Sequence, residues 1–391
     1  MLTRAQLLGQ IMRNYDTSIA VAGTHGKTTT TSMLSHILLK GECDPTISVG
    51  GILPAIGGNI RVGQSETFLT EACEYTNSFL SFFPTIGIIL NIDADHLDFF
   101  KDIDDIRHSF RKFAELLPAE GALIINADTP KYEMITENLP CKVITYGLEH
   151  DAEYTATDIT YDELGHATFH VLHNGEDLGT CSLKVPGIHN VSNALASIAA
   201  GQLLDLSTEV IFDGLKDFGG TDRRFQYKGK IGDVTIIDDY AHHPTEIEAT
   251  LHAAKIIHIR RSGVYSSLIL IHVPKLFFRN LPKLLPLQIT SYWLISMLHV
   301  KRIILAFLPE ICRKKSSNSV LHVNTSRPST RLKTFIRKLY TGRPVDNYGR
   351  RRRCKYWRTA PWQISYPHYP HVYTHFYMRM ACGFFMQNWF T

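Results

Sequence analysis

Gly23-Thr24-His25-Gly26-Lys27-Thr28 is the first stretch whose residue types and spacing could do chemistry. It follows the apolar run Ser18-Ile19-Ala20-Val21-Ala22 and precedes a helix-like stretch from Thr29 to about Leu39. Strand, glycine-rich loop and helix thus come in the order a phosphate-binding loop needs. Glycines let backbone amides turn toward phosphate oxygens, and the helix N-terminus adds a partial positive charge. Lys27 would reach the β- and γ-phosphates of a nucleotide, and Thr28 would hold Mg²⁺. Val21 stands where the first glycine of GxxxxGK[ST] is usual.

Other polar residues fall where strands should end. Thr85–Leu90 reads as a strand that delivers Asn91 to His96 to its C-terminal end, where ligands collect in open parallel sheets. Mg²⁺ prefers oxygen ligands, which makes Glu71 a natural carboxylate for it. By residue type alone, His96 also reads as a helix-start histidine and Asp95 and Asp98 as caps. Pro186-Gly187 followed by His189-Asn190 would place polar groups at a helix start with Asn193 one turn inside, or Asn190 would serve as the N-cap. Arg224 would stabilise charge on a transferred phosphate or lie on the surface. Asp239 follows Val234–Ile237 and would sit at the end of the first strand of a further domain, with His242 and His243 as possible caps.

Five stretches in order resemble the Mur ligase family, the cytoplasmic enzymes that add amino acids to the peptidoglycan precursor, and its folylpolyglutamate synthetase relatives. They are GTHGKTTT from Gly23, Thr70-Glu71-Ala72-Cys73-Glu74, Asn91 to Asp98, Gly187 to Ala194, and Arg223-Arg224-Phe225 followed by Asp238 to Glu246. The wording is most similar to the member that joins L-alanine to UDP-N-acetylmuramate. The resemblance implies an α/β fold: a central P-loop ATP-binding domain on a parallel sheet, then the start of a Rossmann-like C-terminal domain. It implies ATP and Mg²⁺ as cofactors and small-molecule substrates, with neither nucleic acid nor membrane as partner. It places Gly23, Thr24, His25, Gly26, Lys27, Thr28, Thr29, Asn190, Asn193, Arg224 and Asp239 at the nucleotide, Thr28, Glu71 and His96 at the metal, and Lys27, His96 and Arg224 in catalysis. The implied reaction passes the γ-phosphoryl of ATP to the sugar-linked carboxylate, and the amine of L-alanine then displaces phosphate from the acyl phosphate.

Composition divides the chain. Residues 1–255 hold 18 Lys and Arg against 35 Asp and Glu, a net of −17, whereas residues 256–391 hold 23 against 2, a net of +21. Arg350 to Arg353 beside Tyr356 and Trp357 would suit a basic nucleic-acid module. The genetic code offers another reading. Val264 to Leu276 can be coded so that the neighbouring frame spells VFQPHTYSRTKA, a phrase of the family. The same shift permits DIYAARE from Leu294–Lys301 and NYPH from Lys255–Ile259, so the expected break lies at about Lys255.

The expected organisation is therefore 1–16 as the end of a linker from an absent UDP-sugar domain, 17–225 as the ATP-binding domain, 226–255 as the start of the C-terminal ligase domain, and 256–391 as a poorly ordered out-of-frame tail. A chain so arranged is expected to be inactive as written. The alternatives are a non-catalytic Mg-ATP-binding remnant of a decayed gene, or another Mur- or folylpolyglutamate-type ligase. No signal peptide and no run of 18 apolar residues is visible, which points to a cytoplasmic protein. Seven scattered cysteines without a CxxC pair argue against both a disulfide framework and a zinc site. Asp102 to Asp105 reads as a solvated helix start, and 151–178 as an antiparallel hairpin.

Overall fold

The computed structural model describes residues 2–231, 234–241 and 243–257, and the backbone of three strands at 261–268, 289–295 and 375–381. In chain order the first half runs α1 (Arg4–Met12), β1 (Thr17–Ala22), α2 (Lys27–Lys40), β2 (Thr46–Leu53), β3 (Gly58–Arg61), β4 (Thr67–Ala72), β5 (Ile86–Ile89), α3 (Ile103–Ala114), β6 (Ala122–Asn126), α4 (Glu133–Thr136) and β7 (Lys142–Tyr146). There follow β8 (Tyr154–Tyr161), β9 (His166–His173), β10 (Glu176–Pro186), α5 (Ile188–Leu203), α6 (Thr208–Asp217), β11 (Gln226–Ile231), β12 (Val234–Asp239), α7 (Pro244–Ile256), β13 (Arg261–Leu268), β14 (Ile289–Ile295) and β15 (His375–Ala381).

The first ten strands form one sheet in the order β10-β9-β8-β7-β6-β5-β1-β4-β2-β3. Its middle, from β7 to β2, is parallel. Parallel strands are buried on both faces, and the residue pattern shows it. Successive side chains of a strand point to opposite faces. Ile19, Val21, Ile88 and Ile124 accordingly enter a core with α2, α5 and α6, while Ala20, Ala22, Ile89, Leu123 and Ile125 enter a second core with Met12 of α1 and Phe110 and Phe113 of α3. In that second core small alanines on β1 share the space with rings: Phe79 stacks on Phe113 with centroids 4.9 Å apart and meets Phe110 edge-on at 5.4 Å.

The expected hairpin over 151–178 is present as β8 and β9, extended by β10 into an antiparallel meander at one sheet edge. The acidic helix start is also present: the Asp102 carboxylate accepts from the amides of Asp104 and Asp105 and caps α3. Asn190 does not cap α5. Gly187 is the cap, and Asn190 sits in the first turn with its Nδ2 donating to the Pro186 carbonyl at 2.7 Å.

A second sheet has the order β11-β12-β15-β13-β14, with β11 and β12 antiparallel and the others parallel. The strand at 226–231 thus precedes the one expected to be first in this module. Of the three strands beyond residue 260, ITSYWLI is rich in β-branched and aromatic residues, which favour extended pairing. Apart from those strands, the expectation of a poorly ordered tail lies outside the described residues, as do Arg350 to Arg353. Among the described residues no helix is long and apolar enough to cross a membrane.

Candidate active site

Three adjacent parallel strands, β4, β1 and β5, end side by side, and their C-terminal loops converge. The loop after β1 is bracketed by the one after β5: Asn91 accepts the His25 amide through Oδ1 at 2.8 Å and donates through Nδ2 to the His25 carbonyl at 3.0 Å. The Thr24 amide donates to the Asn91 carbonyl at 3.1 Å, and the Thr24 hydroxyl accepts from the Asp93 amide at 2.9 Å. Gly26 caps α2 at φ 85°, a left-handed conformation that costs an L side chain energy. Its missing side chain also makes room for α5, because a Cβ there would lie 2.8 Å from Asn193 Oδ1.

Lys27 turns back over this loop. Its ammonium donates to the Gly23 carbonyl, to the Thr24 carbonyl at 3.1 Å and to Glu74 Oε2 at 2.9 Å, which uses all three of its protons. Burial alone would lower its pKa, but Glu74 together with Cys73 and Glu71 outweighs burial and raises it, so the group stays charged. A phosphate entering the loop would replace the two carbonyl acceptors.

Beside Lys27 lies a set of oxygens. Thr28 Oγ1 donates to Glu71 Oε2 at 3.1 Å, and Glu71 Oε1 accepts the Gly50 amide. Gly50 can come this close because a Cβ there would stand 2.8 Å from the same carboxylate. Glu74 is 2% exposed, and its Oε1 has no hydrogen-bond partner among the described residues; His96 Nε2 stands 3.9 Å from it. Mg²⁺ takes oxygen ligands, and the Thr28 hydroxyl, the Glu71 carboxylate and the orphaned Glu74 oxygen are donors of that kind. His96 is held by its ring against Tyr75, 4.4 Å between centroids, and by its amide on Asp95 Oδ1 at 2.7 Å. It does not open a helix. Asp98 accepts the Tyr75 hydroxyl at 2.8 Å and so steadies the same ring.

The second module reaches the loop through α7. Glu246 Oε1 lies 3.3 Å from His25 Nδ1 and 3.6 Å from an Arg224 guanidinium nitrogen, while Thr245 donates to Asp93 Oδ2 at 2.6 Å. His243 is the N-cap of α7, accepting from the Thr245 amide, and its ring faces His25 at 4.7 Å. His242 lies outside the described residues. Arg224 stands over the Tyr240 ring at 5.6 Å. Asp239 is buried and turned inward, accepting from the amides of Phe225 and Ala241 and from Thr250, and burial pushes its pKa up to about 6. His189 lies near Glu246 and Arg224, and burial lowers its pKa to about 4.

Burial would lower the pKa of His25, but the Asp93 and Glu246 carboxylates outweigh it and raise the value from 6.5 to about 9. Asp93 is held well below the usual carboxylate range, chiefly by His25. A raised histidine pKa contributes stability that is complete below 6.5 and lost as pH rises through 9; a depressed carboxylate contributes stability that is lost below about pH 4. The contact between α7 and the loop is therefore expected to be strongest between about pH 4 and 6.5. An NMR titration of the His25 ring in chelated buffer should give a midpoint near 9, and Asp93→Asn should move it down toward 6.5. A midpoint near 6.5 in the unsubstituted chain would contradict the arrangement.

Of the residues expected at the site, Gly23 to Thr28, Glu71, His96 and Asn193 come together around the loop, and Thr29 lies half-buried in the first turn of α2. Asn190 supports Asn193, accepting its Nδ2 at 3.2 Å. Arg224 joins through Glu246, and Asp239 spends its carboxylate on its own module. Sequence reasoning passed over Glu74, Asp93 and Glu246, although all three lie inside the quoted motifs. What distinguishes them is burial and pairing, which one sequence does not display.

The Mur ligase middle domain matches residues 21–201, and the Mur ligase glutamate ligase domain matches residues 223–266. The chain belongs to the Mur ligase family. The second match runs past the expected break at about Lys255. The UDP-N-acetylmuramate-L-alanine ligases of Agathobacter rectalis and Lachnospira eligens are 64% and 61% identical to it over 255 residues, covering 65% of this chain and 56% of each relative. The chain thus spans just over half the length of these relatives. Among solved structures, the UDP-N-acetylmuramate-alanine ligase of Thermotoga maritima superposes with a TM-score of 0.66 at 23% identity, over 96% of this chain and 74% of that one. A murein peptide ligase of Psychrobacter arcticus gives 0.58 at 26% identity, over 74% and 65%. These two likenesses support the same Mur ligase fold.

Proposed function

We propose that this centre binds Mg-ATP and serves a ligase that joins L-alanine to the carboxylate of UDP-N-acetylmuramate. The observation that carries the reading is the convergence of Lys27, Thr28, Glu71, Glu74 and His96 at one set of strand ends, in a chain 64% identical over 255 residues to ligases of that name. Loop amides and Lys27 would hold the β- and γ-phosphates, and Asn193 would border the nucleotide across Gly26. Thr28, Glu71, His96 and Glu74 would hold Mg²⁺, which would supply charge neutralisation for the phosphoryl transfer. Arg224, released from Glu246, would stabilise charge on the transferred group. The attacking carboxylate becomes an acyl phosphate, and the amine of L-alanine then displaces inorganic phosphate. Such chemistry belongs in the cytoplasm, where ATP and the UDP-sugar are found.

Residues 17–225 form the ATP-binding domain in this reading, 226–255 open the C-terminal domain, and 256–391 are translated out of frame. Sequencing the gene through the Lys255 codon and on both sides should reveal one missing or extra base, and a clean frame would refute the shift. The reading frame so obtained should yield product from UDP-N-acetylmuramate and ATP with L-alanine, but not with glycine or D-glutamate. Preference for another amino acid would overturn the assignment.

Glu71→Gln tests the metal side within the present chain. It keeps the shape but weakens the charge at the Thr28 oxygen, so Mg²⁺ should improve ATP binding about ten- to a hundredfold less than in the unsubstituted chain. Calorimetric titration with and without Mg²⁺ reads this directly, and an unchanged Mg²⁺ effect would remove Glu71 from the site.

A further inference from the structure

A second cluster of metal-ligating side chains shares no residue with the Mg²⁺ set. His25, Asp93 and His243 each offer one donor atom, and the three atoms lie within 4.8 Å of one another. Asp93 Oδ2 lies 3.5 Å from His25 Nε2 and 3.8 Å from His243 Nδ1, a nitrogen that would exchange its 3.4 Å bond from the Thr245 amide for the ion. Donors bonded to one tetrahedral zinc at about 2.0–2.1 Å lie roughly 3.3 Å apart, so the two histidines need to close by at most about 1.5 Å.

Two further features mark this as a built site. His25 Nε2 is buried yet has no hydrogen-bond partner among the described residues, although a carboxylate faces it. The other nitrogen of the same ring points at Glu246 Oε1, 3.3 Å away. A ligating histidine characteristically directs its second nitrogen to a carboxylate, which fixes the ring and raises its basicity. Asp93 is oriented in the same way, its Oδ1 accepting the Ala94 amide at 2.8 Å and its Oδ2 the Thr245 hydroxyl at 2.6 Å. Two imidazoles and one carboxylate select a zinc-class ion over Mg²⁺, which favours all-oxygen shells. A dication there balances the Asp93 and Glu246 carboxylates.

We propose that His25, Asp93 and His243 form a site for a transition-metal dication of the zinc class, which ties the phosphate-binding loop to the N-terminus of α7. Three protein ligands leave a fourth position for water. The ion would hold His25, and with it the segment from Gly23 to Gly26, against the second module.

The test is equilibrium dialysis of the metal-stripped 391-residue chain against Zn²⁺, repeated with Co²⁺ to record its visible absorption. The chain has other histidines and cysteines, so the site is read as the difference between variants. One equivalent should be lost in His243→Ala and in Asp93→Asn, together with the four-coordinate Co²⁺ absorption. Glu246→Gln should keep that equivalent but weaken it about ten- to a hundredfold. His150→Ala, at an exposed histidine paired with Asp128, should retain it. Asp93→Asn is nearly isosteric and decides the matter should His243→Ala fail to fold by circular dichroism. Equal stoichiometry and affinity in the unsubstituted chain and Asp93→Asn would overturn the proposal.

Discussion

Lys27→Ala should abolish measurable Mg-ATP binding and lower the unfolding temperature of the same chain by about 10 °C. The two losses have different causes. Binding is lost because Lys27 is the cation that would meet the phosphates. Stability is lost because Glu74, 2% exposed, would be left without the ammonium 2.9 Å away. Removing one partner of a buried ion pair costs about 3–5 kcal/mol, far more than the pair contributes relative to an apolar replacement. For a domain of this size each kcal/mol corresponds to about 2–4 °C. Adding Glu74→Gln to Lys27→Ala should restore most of the unfolding temperature and none of the nucleotide binding. Calorimetry of the single and double variants separates the effects, and a Lys27→Ala chain that still binds Mg-ATP normally would contradict the assignment.

Gly26→Ala should weaken Mg-ATP binding at least tenfold. At φ 85° an alanine costs about 1–2 kcal/mol, and its Cβ would meet Asn193 Oδ1 at 2.8 Å and Leu90 Cδ1 at 3.3 Å. Asn193 has little freedom to yield, since it is buried and its Nδ2 is engaged by Asn190. The loop must therefore shift away from α5, and the amides that would cradle phosphate shift with it. Asn193→Ala in the Gly26→Ala background should recover the part of the stability lost to contact but not the part lost to the dihedral. Thermal unfolding of the four chains resolves the two, and full affinity in Gly26→Ala would mean that phosphate does not depend on this loop.

Much of this centre is legible in the sequence because local chemistry dictates it. The strand, loop and helix around Gly23–Thr28 follow from an apolar run, two glycines and a helix-forming stretch, each acting over a few residues. The strand ending at Asn91 is legible for the same reason. Burial is not local, and there the reading ran short. Glu71 and Glu74 are three residues apart and chemically alike, yet only the fold shows that Glu74 is sealed in with Lys27 while Glu71 bonds to Thr28 and Gly50. Asp93 is one acid among several in NIDADHLD, and only the fold sets it beside His25 of the loop and His243 at the start of α7. Asn190 has the residue type of an N-cap, but Gly187 takes that place, and Asn190 bonds instead to the carbonyl of Pro186 at the end of β10. Asp239 lies at the end of its strand as expected, and only the fold shows its carboxylate accepting the amides of Phe225 and Ala241.

The most direct test of the central claim is a calorimetric titration of Mg-ATP into the 391-residue chain, repeated with ATP in excess chelator. The arrangement of Lys27, Thr28 and Glu71 predicts one site per chain, with affinity falling at least tenfold when Mg²⁺ is removed. No detectable binding, or binding indifferent to Mg²⁺, would contradict it.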